Sequence, residues 1–440
     1  MTDYLRPEDF AGRTVLVCGA RVAGASAARA LIAVGASVLV TDSGSVADDA
    51  LPTGAEFLGD LTEIPSGVSV VVTSPGLRPD HPLLAKAEAA SLPVFGELEF
   101  AWRIRGEHAA TWLMVTGTNG KTTTVRMLES ILRAAGLRAL AVGNVGVPII
   151  DAVMADPPYD VLAVEASSFQ LHHSSTMRPL AGAILNLAED HLDWHGSFQS
   201  YAAEKTKVWA GQYAIANADD AAVMALLAAS PTEHAVAFSL GDQPPIPVEE
   251  IRPAGTHNLA NALAAAALAR TAGVPEKDIA AGLRAFVPDP HRNEFVTNVA
   301  GVDYVDDSKA TNPHAAAASI SAYESVVWIA GGQLKGASVE QLVHDFAGRM
   351  RGVVLLGVDR DVIADALSRH APDLPVISVS KNDDGAMTDV VAAAASLAAA
   401  GDVVLLAPAA ASLDMFASYS ARGTAFVEAV AALAEGTDPT

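Results

Sequence analysis

The segment Val115-Thr116-Gly117-Thr118-Asn119-Gly120-Lys121-Thr122-Thr123 constrains the fold more than any other part of this chain. It follows an apolar run at 111–115 and precedes a helix-like stretch at 123–135. A buried strand that enters a glycine-rich turn and leaves it as a helix belongs to parallel α/β architecture. Such a turn offers backbone N–H groups and the positive end of the helix to an anion. Lys121 then reaches the β- and γ-phosphates of a nucleotide, and the Thr122 hydroxyl suits Mg²⁺. The general consensus has a glycine where Val115 stands, so the match is to the tighter form Gly-Thr-Asn-Gly-Lys-Thr. An ordinary turn explains Gly117 and Gly120, but not Lys121-Thr122 in order between strand and helix. The segment predicts a site for ATP or a related nucleotide.

Strand-like runs alternate with helical ones along the whole chain. They fall at 14–19, 37–41 and 68–73, then at 112–116, 161–165 and 183–187, then at 302–305, 326–330, 353–357 and 403–407. Three α/β units follow, with boundaries near 100–108 and at Val287-Pro288-Asp289-Pro290, since 440 residues exceed what one core holds. The formal charge of −23 argues against a nucleic-acid or anionic-membrane surface and makes lysines beside glycine-rich turns more telling. The alanine-rich runs lack the Leu, Ile, Val and Phe content of a membrane-spanning helix. Residues 1–10 carry Asp3, Arg6, Glu8 and Asp9 and no apolar signal core, so a cytoplasmic location is expected. The single cysteine, Cys18, fits a reducing compartment and reads as a buried structural thiol.

The first unit opens with Cys18-Gly19-Ala20-Arg21-Val22-Ala23-Gly24, close to a dinucleotide fingerprint, with Asp42 where a ribose-binding acid would sit. Arg21 replaces the glycine that admits a pyrophosphate, and the third glycine is Ala27 or absent. A Rossmann-like unit for a nucleotide other than NAD is the better reading. Ser74-Pro75-Gly76 is a second strand-end turn where amides could meet phosphate or sugar, or simply end the strand.

Glu165 closes the apolar strand 161–165 in the phosphate-loop unit, a position suited to hold Mg²⁺. Residues 186–195 pack Glu189, Asp190, His191, Asp193 and His195 into one short loop, with no spacing that suits zinc. The stretch 197–210 reads as helical, and composition alone makes Lys205 and Lys207 solvated surface residues. Asn258 and Asn261 lie on one face near the start of an alanine-rich helix, placed to cap it or to touch a base and ribose. The third unit opens with Pro290-His291-Arg292, and its turns Asp307-Ser308-Lys309-Ala310-Thr311-Asn312, Gly331-Gly332-Gln333-Leu334-Lys335 and Ser412-Leu413-Asp414 follow strands on one carboxyl edge, where open α/β sheets bind ligands.

Together these motifs resemble the Mur ligases, ATP-dependent amino-acid-adding enzymes of bacterial peptidoglycan synthesis, and within them the D-glutamate-adding branch. The likeness spans the chain. It implies a Rossmann-like amino-terminal domain over 1–100, a central P-loop ATPase-like domain over 101–289 and a Rossmann-like carboxy-terminal domain over 290–440. The implied reaction joins D-glutamate to UDP-N-acetylmuramoyl-L-alanine through an acyl phosphate, in a monomer with ATP and two Mg²⁺ sites. By resemblance, Gly117, Thr118, Asn119, Gly120, Lys121, Thr122, Thr123, Asn258, Asn261, Arg292 and Asp307 contact ATP. Thr122, Glu165, His191 and a carbamylated Lys205 hold metal. Val22, Ala23, Ser43, Ser74 and Gly76 line the uridine diphosphate site, while Asn144, Ser167 and His191 face the muramyl-alanine. Thr311, Lys335, Ser412, Leu413 and Tyr419 form the D-glutamate pocket, with Lys309 beside the reacting groups. A folylpolyglutamate synthase shares fold and chemistry but lacks the unit of about a hundred residues before the phosphate loop. A non-catalytic P-loop regulator would not need Glu165, His191 and Lys309 at three strand edges.

Overall fold

Strands that are apolar on both faces need cover on both faces, and parallel sheets between helices supply it. The computed structural model describes residues 7–44, 46, 50–106, 108–381 and 385–437; the remaining residues, including Asp3, Arg6 and 438–440, lie outside the described set. The first sheet joins β1 (Thr14–Cys18), β2 (Ser37–Thr41), β3 (Ala55–Phe57), β4 (Val68–Thr73) and β5 (Val94–Gly96). Its order is β3-β2-β1-β4-β5, all parallel. The second sheet holds β6 (Thr111–Thr116), β7 (Ala139–Gly143), β8 (Val161–Glu165), β9 (Ala181–Ile184), β10 (Tyr213–Asn217) and β11 (His234–Phe238). It runs β11-β10-β9-β6-β8-β7, again all parallel. The third sheet takes β12 (Glu294–Val299), β13 (Val302–Asp306), β14 (Val326–Gly331), β15 (Met350–Leu356), β16 (Val376–Ser378) and β17 (Val403–Leu406) in the order β12-β13-β17-β14-β15-β16. Only the β12–β13 pair is antiparallel.

The chain divides into two compact units: Met1–Glu250 with Ala260–Phe286, which holds the first two sheets, and Ile251–Leu259 with Val287–Thr440, which holds the third. The 100–108 stretch lies inside the first unit. Its helix Glu97–Ile104 buries Phe100, Trp102 and Ile104 in one core with Phe10 and Trp112. Trp102 meets Trp112 edge-on at 5.0 Å, an arrangement the aromatic quadrupoles favour. Glu99 of the same helix accepts hydrogen bonds from Ser175 N, Thr176 N and Oγ1, and Arg103 Nε. Burial alone would raise its pKa, and these bonds outweigh it and lower it.

Topology decides where ligands can sit. In each open sheet the strand order reverses once, and the loops at the carboxyl ends of the reversing strands diverge into a crevice. The reversals fall between β1 and β4, around β6 with its neighbours β8 and β9, and around β17 with its neighbours β13 and β14. Cys18 is buried in β1, and the apolar surroundings push its thiol up to about 12, which makes it inert. Among the described residues no helix is long and apolar enough to cross a membrane.

Candidate active site

At the first reversal, Gly19 has φ +108°, and a Cβ there would meet Ser74 Oγ at 2.3 Å. Ser74 N donates to Cys18 O at 2.9 Å, so the Ser74-Pro75-Gly76 turn packs against the first loop. A Cβ on Gly24 would lie 1.8 Å from Gly19 O. The close-packing glycine of this loop is therefore Gly24, one turn before Ala27 on the helix Val22–Ala33. Val22, Ser43 and Gly76 are exposed, and Ala23 and Ser74 half-buried, around the loop. Asp42 accepts hydrogen bonds from Ala20 N and Gly44 N, both at 2.8 Å. Desolvation raises its pKa, but the two amides win and hold it below the ordinary value. Its carboxylate thus secures the loop's own backbone, a different duty from the ribose contact the spacing suggests.

The second reversal gathers most of the predicted central residues. Gly120 is the left-handed N-cap of the helix Lys121–Ala134, at φ +83°, and a Cβ there would reach Asn261 Oδ1 at 2.3 Å. Asn261 also accepts from Thr124 Oγ1 at 3.2 Å, so it braces the loop. Thr118 N donates to Asn186 O, while Asn119 and Asn186 exchange hydrogen bonds of 2.8 and 3.1 Å. Sequence reasoning assigned Asn186 no role; its position directly after an apolar strand beside the phosphate loop was the available signal. Thr118 Oγ1 shares a 3.0 Å hydrogen bond with Tyr201 OH, and Thr123 is buried on the helix side.

Glu165 is 2% exposed, yet among the described residues its carboxylate accepts from neutral donors, Thr122 Oγ1 at 2.8 Å and Asn144 Nδ2 at 3.0 Å. A buried carboxylate without a counter-charge is expensive, and a hard cation at its oxygens removes that cost. The donor set therefore fits a magnesium-type ion. Lys121 Nζ folds back onto the loop, donating to Gly117 O at 2.9 Å and Thr118 O at 2.8 Å. Lys205 Nζ donates to the same Gly117 O at 3.0 Å and lies over the Tyr201 ring at 4.4 Å.

Lys205 is 1% exposed, which overturns its reading as a surface lysine. The helix Phe198–Lys205 ends there, and its last turn points inward under the phosphate loop. Burial, reinforced by the charge on Lys121 and opposed by Asp190, drives its pKa well below the lysine range. Glu204 bonds instead to Lys207 at 2.6 Å and His172 at 2.8 Å. Lys207 is not a solvated residue either, since it also donates to Leu171 O and His172 O. His191, at φ +53°, is half exposed, with its ring 4.6 Å from that of Phe169 and Nε2 3.5 Å from Asp190. Ser167 caps the helix Ser168–His172 in a capping box with Gln170, and Gln170 Nε2 continues to the buried Glu97.

In the second unit, Asn258 is buried and donates to Ala254 O at 3.2 Å. His291 and Asp306 share a 2.7 Å hydrogen bond, and Glu294 accepts from His291 N. These three side chains come close enough to ligate a cation, but the bonds among them already account for the cluster. A Cβ on Gly423 would meet His291 Nδ1 at 2.3 Å, leaving no space. Arg292 Nε is 4.0 Å from Asp289. Burial raises Asp307 to about 6, against a hydrogen bond from Ser319 and the charge of Arg292.

Three strand-end turns then come together through their backbones. Ala409 N donates to Ala310 O, Gly331 N to Pro408 O, and Gln333 and Ala411 pair in both directions. The turns carry Lys309 and Thr311, Lys335, and Ser412 with Leu413. Lys309 Nζ sits 4.0 Å over the Tyr419 ring, and Ser308 Oγ donates to Tyr419 O at 2.7 Å. Lys335 is exposed at φ +53°, Ser412 is buried and Leu413 is exposed. The predicted amino-acid residues thus share one edge of the third sheet.

The described Mur ligase middle domain matches residues 115–245, and the Mur ligase glutamate ligase domain matches residues 291–410. The UDP-N-acetylmuramoylalanine–D-glutamate ligase of Thermobifida fusca is 52% identical over 97% of this chain and 100% of its own length. The enzyme of the same name from Streptomyces avermitilis is 49% identical over 97% and 99%. Among solved structures, the MurF ligase of Thermotoga maritima in complex with ADP covers 98% of this chain and 97% of its own, with TM-score 0.61 and 16% identity. The UDP-N-acetylmuramate–alanine ligase of the same organism covers 96% and 99%, with TM-score 0.58 and 16% identity. At that identity the likeness speaks for the fold alone.

Proposed function

The chain belongs to the Mur ligase family, and on that premise we propose that it joins D-glutamate to UDP-N-acetylmuramoyl-L-alanine at the expense of ATP, a cytoplasmic step of peptidoglycan synthesis. The near full-length identity to D-glutamate ligases supports the substrate. The observation that carries the chemistry is the convergence of Lys121, Lys205, Thr122 and Glu165 on the loop that ends β6. In the reaction, an oxygen of the L-alanyl carboxylate takes the γ-phosphoryl group and ADP leaves. The amine of D-glutamate then attacks the acyl carbon, loses a proton, and inorganic phosphate departs with its electron pair.

Phosphoryl transfer of this kind needs positioning and charge neutralisation more than a covalent catalyst. The amides of 117–122 cradle the phosphates, and Lys121 swings from the Gly117 and Thr118 carbonyls to them. Thr122 and Glu165 would hold one Mg²⁺, and His191 and Lys205 a second, which would supply charge neutralisation for the phosphoryl group. Lys205 serves there as a carbamate: its neutral amine adds to CO₂, and loss of a proton leaves an anionic oxygen donor. The shared carbonyl of Gly117 supports this reading, because two ammonium groups on one acceptor would repel. Asn144 and Ser167 meet the muramyl-alanine, and Val22, Ala23, Ser43, Ser74 and Gly76 the uridine diphosphate. Asn258, Arg292 and Asp307 are nucleotide contacts on the resemblance alone. Thr311, Lys335, Ser412, Leu413 and Tyr419 receive D-glutamate, with Lys309 near the acyl phosphate.

ADP release measured with UDP-N-acetylmuramoyl-L-alanine, with and without D-glutamate, tests the proposal. Release that depends on both substrates is expected. Release indifferent to D-glutamate would overturn it.

A further inference from the structure

The helix Tyr419–Thr437 carries a guanidinium into the interior of its unit. Arg422 is 1% exposed, and its hydrogen bonds all go to neutral oxygens. Nε donates to Ser308 Oγ at 3.0 Å, Nη2 to Ser308 O at 2.9 Å, and Nη1 to Ala410 O at 3.1 Å and Gly331 O at 3.4 Å. These acceptors sit in the turns that follow β13 and β17 and at the end of β14. They are the same turns that carry Lys309 and Thr311, Ser412 and Leu413, and Lys335.

Packing does not account for this residue, because an apolar side chain would fill the volume without desolvating a charge. The planar fork does something an apolar chain cannot: it fixes the direction of carbonyls from several turns at one point. The turn Gly331-Gly332 closes directly on it. A Cβ on Gly332 would lie 2.1 Å from Ala411 O and 3.3 Å from Arg422 Nη1. Ser308 Oγ passes the constraint onward, accepting from Arg422 while donating to Tyr419 O, and the Tyr419 ring lies under Lys309. Arg422 feels Asp414 and Asp306 only through space, so its charge is not cancelled by a bonded carboxylate, and burial lowers its pKa only to about 10. It remains a cation at neutral pH, bonded to the turns whose residues are proposed to receive an amino acid with two carboxylates.

We propose that Arg422 is a positioning residue for the amino-acid substrate: it sets the spacing of the three turns and lends them positive potential from below. The inference rests on the D-glutamate reading given above. Steady-state ADP release by the full chain, with D-glutamate, ATP and the UDP-substrate varied in turn, separates the possibilities. Arg422→Lys keeps the charge and loses the fork, and Arg422→Met loses both. Losing hydrogen bonds to a charged group predicts a D-glutamate KM raised ~10-fold in Arg422→Lys and ~100-fold in Arg422→Met, with the other two KM values within ~3-fold. Equal rises in all three KM values, or a fall in kcat with an unchanged D-glutamate KM, would overturn the proposal.

Ser308→Ala covers the case in which the arginine variants do not fold. It leaves Arg422 in place but cuts the link to Tyr419, and should raise the D-glutamate KM ~3- to 10-fold. An unchanged KM in folded Ser308→Ala would remove the clamp. The wild-type protein keeps the two readings apart. If it ignores D-glutamate, the functional proposal fails and takes this one with it; if it responds and the variants show no split, this inference alone fails.

Discussion

Lys205 shows how one buried amine changes the chemistry of its surroundings. As an ammonium it would sit desolvated beside Lys121, with both groups on the Gly117 carbonyl. Neutral, it is a nucleophile toward CO₂, and under the proposed function the carbamate would supply an oxygen donor to a Mg²⁺ site. Lys205→Ala should therefore lose at least ~10²-fold in turnover, comparable to removing a preorganised charge from a reacting phosphate. A short carboxylic acid in the buffer should restore part of it. Full activity of Lys205→Ala in carboxylate-free buffer would exclude the residue. Lys207→Ala is a poor control because Lys207 satisfies the carbonyls of Leu171 and His172; the exposed Lys277 is a better one. Lys121→Ala should cost ~10²-fold or more in ADP formation, while near-normal turnover by the folded variant would sink the ATP-site assignment.

At the level of elements, strand-end turns work because neighbouring segments brace them. Gly120 both adopts φ +83° and makes room for Asn261. Gly120→Ala should strain the loop and lower stability by ~1–3 kcal/mol, with a larger rise in the ATP KM than in the D-glutamate KM. Asn186→Ala, which unties Asn119, tests the same brace more gently and should raise the ATP KM ~10-fold. Thermal melts with and without ADP would show whether either change acts on the loop alone. On the third sheet, Lys335→Ala should raise the KM for D-glutamate far more than that for ATP. Equal effects would mean that the turn Gly331-Gly332-Gln333-Leu334-Lys335 serves another ligand.

For the whole molecule, acid should be the weak side. Burial, aided by nearby cations at His173, pulls His173 and His195 down to about 4, and burial does the same to His257. The unfolded rings take up protons near pH 6.5 while the folded ones resist until about 4, so stability present above 6.5 is lost as pH falls through that window. Glu204, held at about 2 against its burial by His172 and Lys207, adds a loss below its ordinary value. Asp307 opposes them: raised to about 6, it favours the folded state at low pH and loses that contribution as pH rises from its ordinary value to 6. Glu97 and Asp306, also raised by burial, act in the same direction as Asp307, and Glu204 acts only below its ordinary value, so between pH 7.5 and 5 the fall rests on the three rings. Tm should drop between pH 7.5 and 5, and His173→Leu should narrow that drop by ~2–4 °C. An unaltered pH profile in the variant would mean that His173 is not titrating as its burial implies.

What the sequence determined on its own was local: the strand, turn and helix around Gly120-Lys121, the left-handed glycines, the alternation that demands parallel sheets, and the strand-end residues Glu165, Lys309 and Ser412. These follow from backbone sterics and from apolar runs, which are written in neighbouring residues. Burial is not written there. Lys205 and Lys207 look alike on paper, and only packing turns one beneath the phosphate loop and the other onto the end of a short helix. The same holds for Asp42, whose carboxylate is taken by its own loop, for Asn186, and for Arg422, whose acceptors lie 12 to 114 residues away. Such partners are joined by the order of strands in a sheet, and that order is settled by how whole layers bury their apolar faces, which no short stretch of chain encodes.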